Sequence, residues 1–449
     1  MKTVAVIDIG KTNVKVALVD LLTSTETAVE TSPNTVLPGP PWPHFDTDAQ
    51  WTFIRDALRR LGRTTRIDAI TTTTHGACAA LLDAAGGLAA PVMDYEFSGP
   101  DDMRAAYDAI RPAFEETGSP GLPGGLNLGA QLHYMLMRDQ GLLERTANVV
   151  MWPQYWGYRL TGRFASDVCS LGCHTDLWNP HASSWSSLAD KLGLVGKLAP
   201  PRRPGEVLGT LIPELQDDLG LGPVPVLVGI HDSNASLVPH LLSRSAPFSV
   251  VSTGTWVVAM AVGATDMSLD PLRDALVNVS ALGQPVPSAR FMGGREHDLV
   301  RAGVAAKANA ADANRVLARG VMLLPAVVQG SGPFPRQQME WTEDPYSAGE
   351  RVVALGWYLA LMTTECLSMI GAQGPILVEG PFARNPWFVQ MLATATGRTV
   401  LAAEGRTGTA PGAAMLAGDV VTVRSDAAVS PIEGLKGYAS RWQDLCFRR

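Results

Sequence analysis

Two short segments carry side chains suited to work on a phosphoryl group. The first reads Asp8-Ile9-Gly10-Lys11-Thr12-Asn13-Val14-Lys15. Gly10 lets the backbone approach a ligand closely, and successive turn amides can point at phosphate oxygens. The Thr12 hydroxyl, with Asn13 beside it, and the cations Lys11 and Lys15 add donors. Asp8 can orient water on Mg²⁺, an ion that takes few carboxylates and keeps several waters. A second strand, not a helix, follows the turn, so this is not a Walker P-loop. Read alone, the segment is equally an ordinary hairpin turn with solvated charges.

The second segment reads Gly229-Ile230-His231-Asp232-Ser233-Asn234 and follows an apolar run. Phosphoryl transfer asks a protein for positioning, charge neutralisation and an acceptor for the departing proton. Asp232, delivered by a strand end, suits that acceptor role as general base. Asp is also a favoured helix N-cap, so a structural role stands beside the catalytic one. Two weaker segments follow. Thr253-Gly254-Thr255 offers amides and hydroxyls for terminal phosphates. Glu379-Gly380-Pro381, running on to Asn385, makes a strand, a turn and a helix start where a nucleotide base and ribose could sit against backbone.

These residues need elements to hold them. Thr3–Ile9 is a β-branched run, and after the turn a second apolar run spans residues 14–19. Residues 248–252 and 256–261 repeat that grammar around Thr253-Gly254-Thr255. Each pair reads as a β-hairpin, and two of them predict a duplicated architecture with one hairpin opening each half. Further strands are expected at Ala69–Thr74, Ala79–Leu82 and Ile376–Glu379, and helices at 50–61, 101–110, 132–139, 349–370 and 385–396. The mixture predicts α/β layers. A boundary is expected where a helix ends before the second hairpin, dividing the chain into residues 1–242 and 243–449.

The bulk properties agree. At 449 residues the chain is too long for one core and favours two domains of roughly 200 residues each. Apolar residues make up 46%, charged residues 18%, and the net charge is −7, with no basic stripe to hold nucleic acid. The longest apolar stretches, such as 321–328 with its Pro325, fall short of a membrane span. Met1-Lys2-Thr3 runs into a strand-like segment, residues 4–9, too short to be expected to serve as a signal peptide's apolar core plus cleavage site. The five cysteines are few and odd in number, as expected of reduced thiols in a cytoplasmic protein. Cys169, Cys173 and His174 lack a second ligand pair at zinc-site spacing, and no structural metal is expected there.

Taken in order, the Asp8 hairpin, His231-Asp232, the Thr253-Gly254-Thr255 hairpin, the Gly380 turn and Gly412-Ala413-Ala414 resemble the FGGY carbohydrate kinases, of the actin-like ATPase superfamily. The likeness runs over nearly the whole chain. It includes Tyr155 to Gly162 with its Leu160-Thr161-Gly162 ending, Ser166-Asp167, Gln390 and the stretch 399–414. The resemblance implies two RNase H-like domains with an interdomain active-site cleft, using ATP and Mg²⁺. The N-terminal domain would bind the sugar and carry the base Asp232, and the C-terminal domain would bind nucleotide. Small ketoses of the rhamnulose, fuculose, xylulose, ribulose or erythrulose type are the implied substrates. His231 resembles the rhamnulose kinases, whereas Thr74-His75-Gly76 resembles the xylulose kinases. Lys11 stands where the family commonly has Thr or Ala, and Gly380-Pro381-Phe382 replaces a Gly-rich turn.

Expected sugar contacts are His75, Glu96, Gln154, His231 and Asp232, with Trp42, Trp152, Tyr155 or Trp256 as an apolar wall. Each of these tryptophans suits a core position at least as well. Expected nucleotide contacts are Gly10, Lys11, Thr12, Asn13, Lys15, Thr253, Gly254, Thr255, Gly380 and Asn385, with Asp8 at the metal. Other readings are a polyol or signalling-molecule kinase, or an actin-like ATPase or sugar-responsive regulator that transfers nothing. A homodimer is left open.

Overall fold

In the computed structural model, which describes residues 2–265, 269–303, 305–403, 408–418 and 427–449, the two hairpins open two sheets of like plan. Thr3–Ile9 and Asn13–Asp20 pair antiparallel, with Asp8 opposite Lys15 and Ile9 opposite Val14. Thr25–Pro33 continues the antiparallel run on the outer side. On the other side Ala69–Thr74 lies parallel to Thr3–Ile9, with Ile9 opposite Thr74. Pro225–Leu227 follows parallel, and Val207–Thr210 closes the sheet antiparallel. The short strand Ile230–His231 also runs parallel to Ala69–Thr74, with His231 opposite Thr74.

The second sheet repeats this plan. Phe248–Thr253 pairs antiparallel with Val257–Val262, which pairs antiparallel with Pro285–Phe291. Ile376–Glu379 then lies parallel to Phe248–Thr253, Val400–Ala402 follows parallel, and Ala427–Val429 is antiparallel at the edge. Ala275–Val279 extends the opposite edge. Central strands of both sheets are buried almost throughout, which is why they read as apolar runs and not as strict alternation.

Helices cover the faces. Thr47–Thr64 lays Ile54, Ala57, Leu58 and Leu61 inward, and Asp46 caps it by accepting the Ala49 amide. Trp152–Thr161 packs on Ala69–Thr74. In the second unit Ala348–Met369 is long and apolar enough to cross a membrane by composition. It lies 83% buried over its most apolar window, so it is that unit's core helix. The expected helix at 101–110 is instead a 3₁₀ turn, Gly99–Met103, followed by a short helix, Arg104–Asp108. Pro100, Asp101 and Asp102 suit a helical start, but Asp101 accepts the Gly124 amide at 3.0 Å, a tie to a distant loop that local sequence does not reveal.

Two compact units result. The first holds residues 2–243, Val277–Pro285 and the helix Thr409–Met415, and the second holds 244–276, 286–403 and 427–449. A single division at 242/243 therefore omits two returns of the chain. The helical return has a visible cause: a Cβ on Gly412 would lie 2.0 Å from the Ala235 carbonyl oxygen. Glycine permits a close crossing against the Asp232–Ala235 helix, so the Gly412-Ala413-Ala414 run supports the segment that carries Asp232.

Candidate active site

At one end of the first sheet, two adjacent parallel strands release Thr74-His75 and His231-Asp232 side by side. The approach to Asp232 depends on Gly229, whose φ is +91° and whose Cβ, if present, would meet Thr72 Oγ1 at 2.2 Å. His231 keeps extended backbone at φ −63°, ψ 138°, and Asp232 begins the short helix Asp232–Ala235. The expected Asp N-cap is thus shifted by one residue. Asp232 accepts hydrogen bonds from the Ser233 amide at 2.5 Å and the Ser233 hydroxyl at 3.1 Å. Its side chain is 32% exposed, and the carboxylate lies 3.5 Å from His231 Nε2.

The electrostatics suit a proton acceptor. The protein mass around the Asp232 carboxyl raises its pKa, opposed by the neighbouring His75 imidazole and by the Ser233 hydrogen bonds. Burial lowers His231 to about 4 and also lowers His75, so both imidazoles are neutral near pH 7. His75 Nδ1 sits 2.9 Å from the Gly76 carbonyl, which makes Nδ1 the protonated nitrogen, while the buried Nε2 has no partner. Its ring packs 5.1 Å from both Phe45 and Tyr95. Gly76 keeps the two histidines close, because a Cβ there would lie 2.6 Å from His231 Nε2.

The first hairpin divides its charges between two groups. Lys15 pairs with Asp8 at 3.2 Å and Glu26 at 3.0 Å. Burial raises the Asp8 carboxyl, with Lys15 opposing. A single carboxylate with an unfavourable buried charge fits the outer sphere of a Mg²⁺ ion, which would relieve that charge through water. Gly10, Thr12 and Asn13 form the turn, where the Gly10 amide donates to the Asn13 carbonyl at 2.9 Å. Asn34 braces it through the Gly10 carbonyl at 2.7 Å. Lys11, expected among the phosphate cations, turns the other way to pair with Asp94 and, at 3.1 Å, with Glu96.

Gln154, expected among the sugar contacts, is wholly buried and donates to the carbonyls of Val228 at 2.9 Å and Gly229 at 3.3 Å. Its amide nitrogen supports the strand leading to Asp232, while its buried Oε1 has no partner. Trp42, Trp152 and Tyr155 are core side chains. Trp256 lies in the second unit beneath the Arg290 guanidinium, 4.9 Å away.

In the second unit the hairpin tip meets a cavity of about 1190 Å³. Gly254 and Thr255 line it, as does Asn385, which caps the helix Pro386–Thr396 by accepting the Trp387 amide at 3.1 Å. Thr253 and Gly380 do not line it. The Thr253 hydroxyl donates to the Glu379 carbonyl at 2.5 Å and accepts from the Phe382 amide at 3.1 Å, so this buried threonine ties the hairpin to the turn. Pro381, Phe382 and Arg384, from the turn read in sequence as a nucleotide seat, also line it, whereas the helix Gly293–Arg301 with Arg295, then Lys307 and Trp387, were not singled out from sequence. The sequence holds one cue to them, the pair Gly293-Gly294 one residue after the strand Pro285–Phe291. Gly294 is needed because a Cβ would lie 2.0 Å from the Gly254 carbonyl oxygen. Large size, several cations and aromatic walls suit an anionic ligand with a ring system.

Comparison with known proteins agrees with this arrangement. Residues 245–425 match the carbohydrate kinase FGGY C-terminal domain. A crystal structure of a carbohydrate kinase from Novosphingobium aromaticivorans superposes with a TM-score of 0.93 at 35% identity, covering 100% of this chain and 99% of that one. L-fuculokinase of Salmonella typhi is 27% identical over 59% of this chain and 58% of its own length. L-fuculokinase of Haemophilus influenzae is 31% identical over 29% of this chain and 28% of its own. The matches thus span less than two thirds of these curated relatives, while the Novosphingobium structure is matched end to end. On that full-length match and the C-terminal domain, the chain belongs to the FGGY carbohydrate kinase family, with its two-domain actin-like ATPase fold.

Proposed function

We propose that this protein transfers the γ-phosphate of ATP to a hydroxyl of a small ketose, of the rhamnulose, fuculose, xylulose, ribulose or erythrulose type. The observation that carries the reading is Asp232: a partly open carboxylate of raised basicity, at a strand end, beside two neutral imidazoles. The sugar hydroxyl gives its proton to the Asp232 carboxylate as its oxygen bonds to the γ-phosphorus. The bond from that phosphorus to the bridging oxygen breaks, and ADP leaves. His75 and His231 hold the hydroxyl, and Glu96 takes a further sugar hydroxyl.

The first unit is the sugar side and the second the nucleotide side, with Gly254, Thr255 and Asn385 against ATP. Gly10, Thr12, Asn13 and Lys15 lie on the phosphate side of the first hairpin. Mg²⁺, when bound, supplies charge neutralisation on the phosphates, and Asp8 is the residue to hold it through water. The cytoplasm, with its reduced thiols, is the compartment that fits five buried cysteines.

A coupled ADP-release assay over a panel of ketoses and polyols tests the reading. Sugar-dependent turnover should fall by about 10³-fold in Asp232→Asn. Near-wild-type turnover in that variant would overturn the role of Asp232. ATP hydrolysis indifferent to every sugar would replace the kinase with an ATPase, and a preference for polyols would move the acceptor class.

A further inference from the structure

Lys11 sits in a turn that would ordinarily present its side chain to solvent or to a phosphate. Instead its ammonium pairs with Asp94 and Glu96, and it packs 5.4 Å from the Phe45 ring centroid and 5.0 Å from that of Tyr95. Those two rings also flank His75. Lys11 and His75 therefore share one aromatic pair, and Lys11 belongs with the sugar-side groups.

Each group has capacity left for a ligand. An ammonium has three N–H donors, and two ion pairs leave one for an oxygen acceptor. Glu96 is 61% exposed, so its carboxylate keeps lone pairs open. His75 Nε2 is a buried acceptor with no partner, an atom of the kind a ligand hydroxyl or a water satisfies. Around them stand the carboxylates of Asp94, Glu96 and Asp232 against the single ammonium of Lys11, with both histidines uncharged. The local field is negative.

We propose that Lys11 is a specificity-determining residue of the sugar pocket, not a phosphate ligand, and that with Asp94 and Glu96 it admits an uncharged polyhydroxy compound and rejects an aldonate. Hydroxyls both donate and accept, so they match a carboxylate and an ammonium held side by side. A substrate carboxylate meets three carboxylates against the one ammonium, and like charges at this range are unfavourable. The aromatic pair fixes the position of the Lys11 charge, so the pattern of donor and acceptors is present before substrate arrives. This inference rests on the sugar-kinase reading of the first unit.

The test uses the whole chain, as wild type, Lys11→Gln and Lys11→Arg, with the best neutral sugar of the panel and with gluconate as the aldonate probe. Circular dichroism melting shows that each variant is folded. Lys11→Gln should raise the sugar KM by about tenfold. The KM for ATP should stay within twofold, and Lys11→Arg, which keeps the charge pairing, should recover most of the sugar affinity. Wild type should favour the neutral sugar over gluconate by at least a hundredfold in kcat/KM. The proposal is overturned if the ATP KM moves more than the sugar KM, if neither moves, or if gluconate competes on equal terms. Should no sugar be turned over, the kinase reading fails first. Calorimetric titration of neutral sugar into wild type and Lys11→Gln then decides the role of Lys11. A weaker Kd in the variant supports it, and equal Kd values or no binding overturn it.

Discussion

The two sheets share one plan, three antiparallel strands followed by two parallel ones and an antiparallel edge, yet equivalent positions carry different chemistry. After the strand parallel to the opening hairpin, the first unit has His75 and the second has Gly380. At the hairpin turns the first unit has Gly10, Lys11 and Thr12, while the second has Gly254, Thr255 and Trp256. The first unit therefore collects titratable side chains whose proton affinities burial has altered. The second brings backbone close to a cavity and places its cations on separate elements, Arg295, Lys307 and Arg384. The frame sets where strand ends lie, and the residues at those ends decide between proton transfer and anion holding.

Four substitutions test this division, beginning with the greatest loss. Asp232→Asn should reduce sugar phosphorylation by about 10³-fold. Its nucleotide affinity, measured by calorimetry, should match wild type, and a parallel loss of nucleotide binding would break the division. Gly380→Ala acts on the second unit through folding. Its φ of +86° and a Cβ 2.0 Å from the Thr253 carbonyl oxygen force the turn apart. The expected loss is about 3 kcal/mol in urea unfolding, where a change below about 1 kcal/mol would mean the turn relaxes freely.

Asp8→Asn should lower turnover by about 10- to 100-fold and raise the Mg²⁺ concentration needed for half activity. Unchanged Mg²⁺ dependence would remove Asp8 from the metal. Gly294→Ala pushes the helix Gly293–Arg301 away from Gly254, and the ATP KM should rise by about tenfold while the sugar KM stays constant. An equal effect on both constants would argue against a nucleotide role for that cavity wall.

The smallest effect concerns pH and stability. Burial makes the folded Asp232 carboxyl bind its proton more tightly than the unfolded one, whose ordinary value is 3.8. That contribution favours folding below the unfolded pKa and is lost as pH rises through the higher folded pKa. At pH 7 the carboxylate therefore opposes folding, and Asp232→Asn should raise Tm by about 1–2 °C even as it lowers turnover by about 10³-fold. The gain should shrink as the pH is lowered toward 4, and a lower Tm at pH 7 would contradict the raised proton affinity of this group. As base, Asp232 must be ionised, so kcat/KM should fall on the acid side with a midpoint above the ordinary carboxylate value.

Much of the frame was legible because it is local. The opening strand Thr3–Ile9, the strand Ala69–Thr74 and the strand Ile376–Glu379 stand at the bounds read from β-branched runs and turn residues. The position of Asp232 just beyond a strand and at a helix start was legible for the same reason, since Gly229 and Ser233-Asn234 are its immediate neighbours. What could not be read were commitments made by residues far away in the chain. Lys11 finds Asp94, Gln154 finds the carbonyls of Val228 and Gly229, and Thr253 finds Glu379. Each polar group looked available in sequence because its partner arrives only with the fold.

The sequence by itself determined the order of the hairpins, the strand ends and the acidic residue poised at one of them. These follow from backbone preferences and apolar patterning over a few residues. Only the tertiary structure decided which charges remain open to a ligand, because burial and pairing are set by side chains that the fold brings together. It withdrew Gln154 and Thr253 into structural hydrogen bonds, turned Lys11 toward Asp94 and Glu96, and left Asp232 partly open with its basicity raised by the surrounding protein.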